Sequence, residues 1–277
     1  MINLLYAGND YTYDGILMSL LSIVKHCKKN LNVYILTMDL SEINKNYVCF
    51  STKHKEILEN EIKKVNKKSK VNLIDVKKLY VENLLNGKNQ ESKYTPYSMI
   101  RLLSDKIEKI PDKILYLDYD VLAYDNIENL YNINIDDYEF AGVKDYYGKI
   151  LINRNYINSG VLLLNIKKIR ETGLFSKCLK VLKTKKMLLP DQSALNFMAS
   201  KKLIIPREFN EQNKLHNNTI LRHFSMTIKF FPKFKKQNIK PWNIDNLHNK
   251  LKTYEFDDII EKYLKIKNKG ENYEQIK

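Results

Sequence analysis

The sequence predicts an α/β protein built on a parallel β-sheet with helices on both faces. Short apolar runs alternate with longer segments whose apolar residues recur at helical spacing, which is the pattern of βαβ units. Neither an internal repeat nor a Gly/Ser linker divides the chain. A length of 277 residues, 44% of them hydrophobic, is ample for a sizeable core.

The amino-terminal half carries most of the predicted sheet. Ile2–Ala7 is predicted to be a strand that ends in a Gly8-Asn9-Asp10 turn, and Lys113–Leu117 to be the fourth strand. The intervening predicted strands span 31–38 and 71–76. The predicted helices span 13–28, 53–68 and 96–110. This βαβαβ order implies parallel strands joined by crossover helices.

The carboxy-terminal half has a looser pattern. Short strands are predicted at 140–143, 160–165, 203–205 and 219–224, and a helix that begins at Pro190 is predicted to reach residue 200. From residue 243 the composition becomes Lys-rich and predicts one or two amphipathic helices. We therefore divide the chain into a domain, 1–242, and a basic helical tail, 243–277. The tail could pack on the domain or meet anionic lipid, and the sequence favours neither.

The chain is strongly basic, with a formal net charge of +15. Such a charge suggests nucleic acid or another anionic partner. However, only five of the 47 basic residues are Arg, the residue that base-edge and bidentate phosphate recognition favours. We therefore do not expect specific nucleic-acid binding.

Three cysteines without a C-x-x-C pattern predict unpaired thiols in a reducing compartment and no zinc site. The first residues lack a cationic lead and a small-residue cleavage site, so no secretory signal is visible. No apolar stretch reaches about 18 residues, the length that a membrane-spanning helix requires. We expect a cytoplasmic protein, in peripheral contact with the inner face of the cell membrane if the tail docks there.

Asp118 and Asp120 are the most informative residues. They flank Tyr119 at the end of the apolar run 114–117, and residues two apart in an extended chain point to the same side. Paired carboxylates repel each other and attract a cation, and oxygen ligands with open positions suit Mg²⁺ or Mn²⁺ holding a substrate phosphate. We expect Asp120 to lie exposed at a strand end. A short D-x-D triplet is also common in plain turns.

Two further polar segments lie where predicted strands end or begin. Asn9 and Asp10 follow the first strand and could hydrogen-bond a base or a ribose, or form an Asx turn or helix cap. Asn158, Ser159 and Gly160 form a polar corner before the apolar run 161–165. That corner could present amide and hydroxyl groups to a ligand, or be an ordinary turn.

Asp191 and Gln192 open the predicted helix at Pro190. They are suitable helix-capping residues and also suitable partners for sugar hydroxyls or an anomeric carbon. His223 lies in an apolar strand, where a single His is usually a core residue. Together with Asp118 and Asp120 it would complete a set of metal ligands that favours Mn²⁺ somewhat over Mg²⁺.

Taken together, these segments resemble glycosyltransferase family 8, the retaining group that contains bacterial lipooligosaccharide galactosyltransferases and glycogenin. The resemblance covers most of residues 2–242 and implies a GT-A fold, a Rossmann-like mixed sheet flanked by helices. The segments that carry it occur in the family's order at 6–10, 97–101, 117–122, 156–161, 189–192, 223–224 and 240–242.

The resemblance implies retaining transfer of a hexose, glucose or galactose, from a UDP-sugar with Mn²⁺ (or Mg²⁺). The acceptor would be a glycan, a glycolipid or a glycoprotein, as in bacterial cell-surface polysaccharide biosynthesis. The metal ligands implied are Asp118, Asp120 and His223. The donor contacts implied are Ala7, Asn9, Asp10, Arg101, Asp118, Tyr119, Asn158 and Ser159. The residues implied at the anomeric carbon are the catalytic pair Asp191 and Gln192, with Asp145 as a looser match to a sugar-binding residue.

One segment departs from the family pattern. The family follows its His-Phe pair with a short Gly-containing loop and then Lys-Pro-Trp, but here that tripeptide begins only at Lys240. The diphosphate would therefore be held by Lys229, at the usual offset, or by Lys240 after an insertion. We favour Lys240 because Pro241 and Trp242 follow it.

Two other functions are compatible with the sequence. The chain could be a basic peripheral protein that binds anionic membrane or nucleic acid through its charge and has a decayed active site. It could also be a UDP-sugar hydrolase, which would turn over without an acceptor. Intact Asp118, Asp120 and His223 argue against the first of these functions and leave the second open.

Overall fold

The structure is a computed structural model that describes residues 1–90, 94–229 and 235–274, without the side chains of residues 228, 229, 235 and 269–274. The strands are β1 (Ile2–Ala7), β2 (Leu31–Thr37), β3 (Lys70–Asp75), β4 (Lys113–Leu117), β5 (Val121–Ala123), β6 (Phe140–Lys144), β7 (Ile157–Asn165), β8 (Lys202–Ile204), β9 (Leu221–His223), β10 (Thr227–Lys229) and β11 (Lys235–Gln237).

The helices alternate with the strands in the first half of the chain. They are α1 (Tyr13–His26), α2 (Thr52–Val65), α3 (Lys77–Asn83), α4 (Glu128–Tyr131), α5 (Gly148–Leu151), α6 (Ile166–Thr172), α7 (Leu174–Thr184), α8 (Pro190–Met198), α9 (Ile244–Asn246) and α10 (Asp257–Glu274). Short 3₁₀ turns occur at Asp10–Thr12, Pro96–Ser98, Ile100–Lys106 and Arg207–Phe209, and a π-helical turn at Leu247–Leu251.

Within the described residues, seven strands form one mixed sheet in the order β3-β2-β1-β4-β7-β6-β8. The pairs among β3, β2, β1 and β4 are parallel, and so is the pair of β6 and β8. Only β7 runs the other way, antiparallel to both β4 and β6. This arrangement confirms the predicted fold class, a Rossmann-like mixed sheet flanked by helices.

The core strands are apolar on both faces because helices cover both faces. In β1, Leu4 and Tyr6 pack with α1, and the Tyr6 hydroxyl lies 2.9 Å from the Ser19 hydroxyl of that helix. Leu5 and Ala7 point to the opposite face and join the cluster that includes α7. Alternate residues thus enter two separate cores, so the strand is a continuous apolar run.

A second, two-stranded sheet pairs β5 with β9 in antiparallel register, so that His223 lies opposite Val121. The register is extended by a hydrogen bond from the Phe224 amide to the Asp120 carbonyl, at 3.0 Å. Since β5 follows β4 after one tight turn, this pairing brings a strand from late in the chain to the carboxyl edge of the main sheet.

Several predicted elements differ from the observed ones. The single helix predicted at 96–110 is two 3₁₀ turns, the second of which ends at Lys106. The prediction of a polar corner at 158–160 is wrong, because these residues lie inside β7. There Asp118 N donates to Gly160 O at 2.8 Å and extends the ladder with β4. Helix α7 was not predicted, although its buried residues recur at helical spacing.

The carboxy-terminal segment packs on the rest of the chain. Helix α10 lies against α1, and Phe256, Ile260 and Tyr263 are buried in the core cluster that α1 shares with β1. Lys25 of α1 forms an ion pair with Asp258 at 2.8 Å. Contact of the tail with anionic lipid stays a prediction, as does a domain boundary at residue 243.

None of the described helices combines the length and the apolar character that crossing a membrane would require. The three cysteines are free thiols, and two of them, Cys27 and Cys178, are buried. This agrees with the unpaired cysteines that the sequence predicts.

Candidate active site

The candidate site lies at the carboxyl ends of β1 and β4, where open α/β sheets bind their ligands. The register that pairs Leu5 with Tyr116 puts the end of β1 level with Asp118. Asp118 follows β4 directly, and Asp120 closes the turn that leads into β5. The local sequence therefore fixes the position of the two carboxylates at this edge.

Asp118, Asp120 and His223 form one cluster. The Nε2 atom of His223 lies 3.3 Å from Asp120 Oδ1 and 3.7 Å from Asp118 Oδ2. One ligand atom from each residue lies within 4.8 Å of the others. The pairing of β5 with β9 produces this arrangement, because it sets His223 beside the residue that follows Asp120.

Asp120 is only 5% exposed, so the expectation of an exposed strand end is wrong for this residue. The small β5–β9 sheet and the side chains of His223 and Lys240 cover it. Burial alone would raise the pKa of Asp120, but His223 in its protonated form and the ammonium of Lys240 outweigh that effect through their charges and hydrogen bonds and hold the pKa well below its ordinary value. The carboxylate is therefore strongly stabilised in its charged form.

The cluster has a donor set that fits a divalent cation. Two carboxylates and one imidazole combine hard oxygen ligands with a nitrogen, a set that Mn²⁺ accepts more readily than Mg²⁺. The ammonium of Lys240 contacts Asp120 Oδ2 and donates to the Phe224 carbonyl at 3.0 Å, so positive charge is favoured beside this carboxylate. On both grounds the residues present fit a bound metal ion.

Arg101 joins the candidate metal cluster, formed by Asp118, Asp120 and His223, to Asp191. Its guanidinium is buried, lies 3.1 Å from Asp118 Oδ1 and 3.2 Å from Asp191 Oδ2, and donates to the Ser159 carbonyl at 2.5 Å. It also stacks on the Tyr116 ring, at 3.9 Å from the ring centroid. Burial raises the pKa of the Asp191 carboxyl, and Arg101 offsets only part of this rise.

A second hydrogen-bond network lies between β6, β7 and α8. Gln192 accepts from the Ser159 amide at 2.9 Å and donates to Asp145 Oδ2 at 3.2 Å. The Asn158 amide donates to the same Asp145 oxygen at 2.9 Å. The four residues implied to meet the sugar, Asn158, Ser159, Asp191 and Gln192, are therefore brought together, with Asp145 beside them.

The residues expected to line a uridine lie at the end of β1. Asn9 donates through its amide to the Asn46 carbonyl at 3.0 Å. Asp10 accepts from the Ser51 amide at 2.7 Å and pairs with His54 Nδ1, also at 2.7 Å. These bonds tie the turn after β1 to the segment 46–54.

Lys240 and the two residues that follow it lie at the same edge. The Trp242 ring packs on Tyr119 at 5.6 Å between centroids. A Cβ added to Gly15 would lie 2.5 Å from the Tyr119 carbonyl and 2.7 Å from the Trp242 ring, so only glycine fits between α1 and this pair. The side chain of Lys229 lies outside the described part of the chain.

Some residues of the site were not predicted from the sequence. Gly160 has no Cβ and so leaves room for the His223 ring, and a glycine inside a strand is a known signal of such close approach. The Tyr116 hydroxyl donates to Asp118 at 2.7 Å, and Asn210 donates to Asn158 at 3.0 Å. His54 stacks on Tyr13 with ring centroids 3.8 Å apart. No local pattern marks the last three contacts.

Comparisons with known proteins match this chain to glycosyltransferases. The sequence profile described as "Glycosyl transferase family 8" matches residues 3–246. A putative glycosyltransferase of Haemophilus influenzae is 26% identical over 222 residues, which span 76% of this chain and 63% of the relative. The lipopolysaccharide 1,2-glucosyltransferase of Escherichia coli is 28% identical over 184 residues, 52% of this chain and 54% of the relative. The chain thus spans less than two thirds of either relative.

Two solved structures share the fold. The galactosyltransferase LgtC, in complex with donor and acceptor sugar analogues, superposes with a TM-score of 0.66 over 94% of this chain and 96% of its own, at 17% identity. The bifunctional glycosyltransferase WbbM gives a TM-score of 0.71 over 96% of this chain and 51% of its own, also at 17% identity. At this identity the likeness shows the fold alone.

Proposed function

This chain belongs to glycosyltransferase family 8, and from that premise we propose that it is a retaining hexosyltransferase that uses a UDP-sugar and Mn²⁺. The sugar transferred is glucose or galactose, and the acceptor is a glycan, a glycolipid or a glycoprotein. The observation that carries the proposal is the cluster of Asp118, Asp120 and His223 beside the ammonium of Lys240.

The cationic groups of the site suit a diphosphate leaving group. A divalent metal held by Asp118, Asp120 and His223 supplies positive charge to that leaving group when it is bound. Lys240 carries a second positive charge in contact with Asp120 Oδ2, where a phosphate oxygen could replace the carboxylate as its partner. Lys229 is the alternative donor that the sequence allows.

Arg101 has a supporting role in this proposal. Its guanidinium already pairs with Asp118 and Asp191 and donates to the Ser159 carbonyl, so its hydrogen bonds go to the protein. It thereby fixes the orientation of Asp118 and connects the metal cluster to α8. A fork with several donors is required for such a bridge, which is a reason for Arg over Lys.

The arrangement around Asp191 favours same-face transfer with retention. Asp191 is engaged at Oδ2 by Arg101 and by the Ser159 hydroxyl at 3.3 Å, and these contacts hold its carboxylate in place. Gln192 is a neutral amide whose orientation is fixed between Ser159 and Asp145. Both residues are therefore suited to positioning the sugar rather than to forming a covalent intermediate.

The proposal extends to the setting of the reaction. Three free thiols suit a reducing compartment, so we place the protein in the cytoplasm. One relative is named as a lipopolysaccharide 1,2-glucosyltransferase, and we propose a cell-surface glycan as the acceptor of this chain as well. Peripheral contact with the inner membrane face through the tail remains part of this proposal.

The proposal is tested by calorimetric titration of UDP into the protein with and without Mn²⁺, for the natural chain and for Asp120→Asn. We expect UDP binding that requires the metal. We expect Asp120→Asn to weaken it by on the order of a hundredfold, since losing a ligand costs at least as much as losing one of its hydrogen-bond partners. Asp112→Asn, which changes an exposed carboxylate paired with Arg170, is the matched control and should bind normally.

The outcomes separate the candidate functions. If the natural chain binds no UDP under any condition, the transferase proposal is wrong and the basic surface becomes the main functional feature. If it binds UDP but releases hexose from a UDP-sugar at the same rate with and without acceptors, the chain is a hydrolase. Circular dichroism of Asp120→Asn confirms that a loss of binding is not a loss of fold.

A further inference from the structure

We propose that Asn158 is a positioning residue for His223: its amide holds the imidazole with the proton on Nδ1, so that Nε2 presents a lone pair to the metal cluster. The inference deepens the proposed function and rests on it where it concerns the metal. It gives Asn158 a role in addition to the expected sugar contact, that of a partner of a metal ligand.

The orientation of the Asn158 amide is fixed by two partners of unambiguous chemistry. Its Oδ1 accepts from the backbone amide of Gly160 at 3.0 Å, and a backbone N–H can only donate. Its Nδ2 donates to Asp145 Oδ2 at 2.9 Å, and an ionised carboxylate can only accept. A flipped amide would set donor against donor and oxygen against oxygen, so the oxygen must be the atom that faces Gly160.

The orientation of Asn158 decides which nitrogen of His223 carries a proton. His223 Nδ1 lies 3.1 Å from Asn158 Oδ1, which can only accept, so Nδ1 must donate. A neutral imidazole has one N–H, and the lone pair is then on Nε2. Nε2 faces Asp120 Oδ1 at 3.3 Å and Asp118 Oδ2 at 3.7 Å. A lone pair that converges with two carboxylate oxygens is the arrangement that a cation requires.

The environment engages most of the hydrogen-bonding capacity of Asn158. Asn158 is 6% exposed, and its Oδ1 also accepts from Asn210 Nδ2 at 3.0 Å, so three donors converge on one oxygen. Asn210 is itself fully buried. The carbonyl oxygen of Asn158 is thus fully engaged. One proton of Nδ2 goes to Asp145, and the other is available to a sugar. Partners that orient a metal-binding His typically contribute about 10- to 100-fold in metal affinity.

The first test needs no substitution. With ¹⁵N-labelled histidine, long-range ¹H–¹⁵N spectra distinguish protonated from unprotonated ring nitrogens for each of the five histidines. At a pH at which the ring is neutral, and without added metal, we expect His223 to carry its proton on Nδ1. A proton on Nε2 would overturn the inference whatever the protein binds.

The second test measures Mn²⁺ affinity from the spin-resonance signal of the free ion. We expect Asn158→Ala to weaken Mn²⁺ binding by about 10- to 100-fold and to lose the preference for the Nδ1 proton. Asn196→Ala is the matched control: Asn196 is equally a buried amide bonded to β7, at Ile157, but it does not touch His223. It should lower stability while leaving both readouts unchanged.

A swapped pair of substitutions tests the mechanism by rescue. In Asn158→Asp combined with Asp145→Asn, a carboxylate accepts from Gly160 and His223 while the introduced amide donates to it, and the bond from Gln192 to residue 145 is lost. We expect the Nδ1 proton and most of the Mn²⁺ affinity to return. If Asn158→Ala folds and binds Mn²⁺ within twofold of the natural chain, the positioning role is refuted. If the natural chain binds no Mn²⁺, the proposed function fails, and the tautomer result is still read independently.

Discussion

The imidazole of His223 lies directly against the backbone of Gly160, where an added Cβ would be 2.2 Å from Cε1 and 2.6 Å from Nδ1 of the ring. Gly160 lies inside β7, and its carbonyl accepts from the Asp118 amide at 2.8 Å. Gly160 thus contacts two members of the cluster. Its carbonyl binds the Asp118 amide, and the absence of a side chain leaves room for the His223 ring. A strand position of this kind requires glycine.

Gly160→Ala should therefore displace His223 and abolish metal-dependent UDP binding in a protein that still folds. The steric cost should be about 1–3 kcal/mol of unfolding free energy, as for other overpacked sites. Gly142→Ala is the matched control, because its Cβ would lie 2.5 Å from Ile157 and 3.0 Å from Leu162, in the same sheet but against apolar side chains. Urea unfolding and UDP calorimetry check the pair. Similar binding losses in both variants would contradict a specific role for Gly160.

Lys240→Met should change two affinities in opposite directions. Lys240 holds its positive charge against Asp120 Oδ2, where it repels a cation bound to the cluster, so its removal should strengthen binding of Mn²⁺ alone, by about tenfold or 1.4 kcal/mol. The same change removes the ammonium that would pair with the diphosphate, so UDP should bind more weakly in the presence of Mn²⁺.

Lys267→Met, which removes an equal charge from the ion pair with Asp14, controls for net charge and should alter neither affinity. Manganese titration followed by UDP calorimetry gives both values for each variant. Weaker binding of Mn²⁺ alone to Lys240→Met would show that Lys240 supports the metal cluster instead of repelling the metal.

Phe256→Ala should destabilise the protein by about 3–5 kcal/mol, the usual cost of removing a buried aromatic side chain. Phe256 is 2% exposed and packs edge-on against Tyr124 and Phe224, at 6.0 and 5.9 Å between ring centroids. Tyr254→Ala, two residues earlier and 52% exposed, should cost less than about 1 kcal/mol.

Urea unfolding followed by circular dichroism compares these two variants. If Phe256→Ala strongly destabilises the protein and unfolding remains one cooperative transition, the segment after residue 242 belongs to the main core. An equally small effect in both variants would instead support the boundary that composition suggests at residue 243. Vesicle binding of the natural chain tests separately whether the basic face of the tail meets anionic lipid.

Local patterns in the sequence predicted the elements that bury apolar residues at regular intervals. β1, β4 and α1 were predicted close to their observed bounds because each carries its own periodicity. The position of Asp118 and Asp120 at the end of a buried strand followed from the same reasoning. The mixed character of the sheet came only from the family resemblance, since nothing local in β7 specifies that it runs antiparallel to its neighbours.

The sequence by itself determined which residue types are available to the site and which strand end carries the carboxylates. Only the tertiary structure decided that Asp120 is buried, that Gly160 makes room for His223, and that the Asn158 amide points its oxygen at that ring. His223 follows Asp120 by about a hundred residues, and its approach depends on the pairing of β5 with β9. Such contacts depend on strand register and on hydrogen bonds from other residues that orient an amide. Neither produces a periodic pattern along the chain.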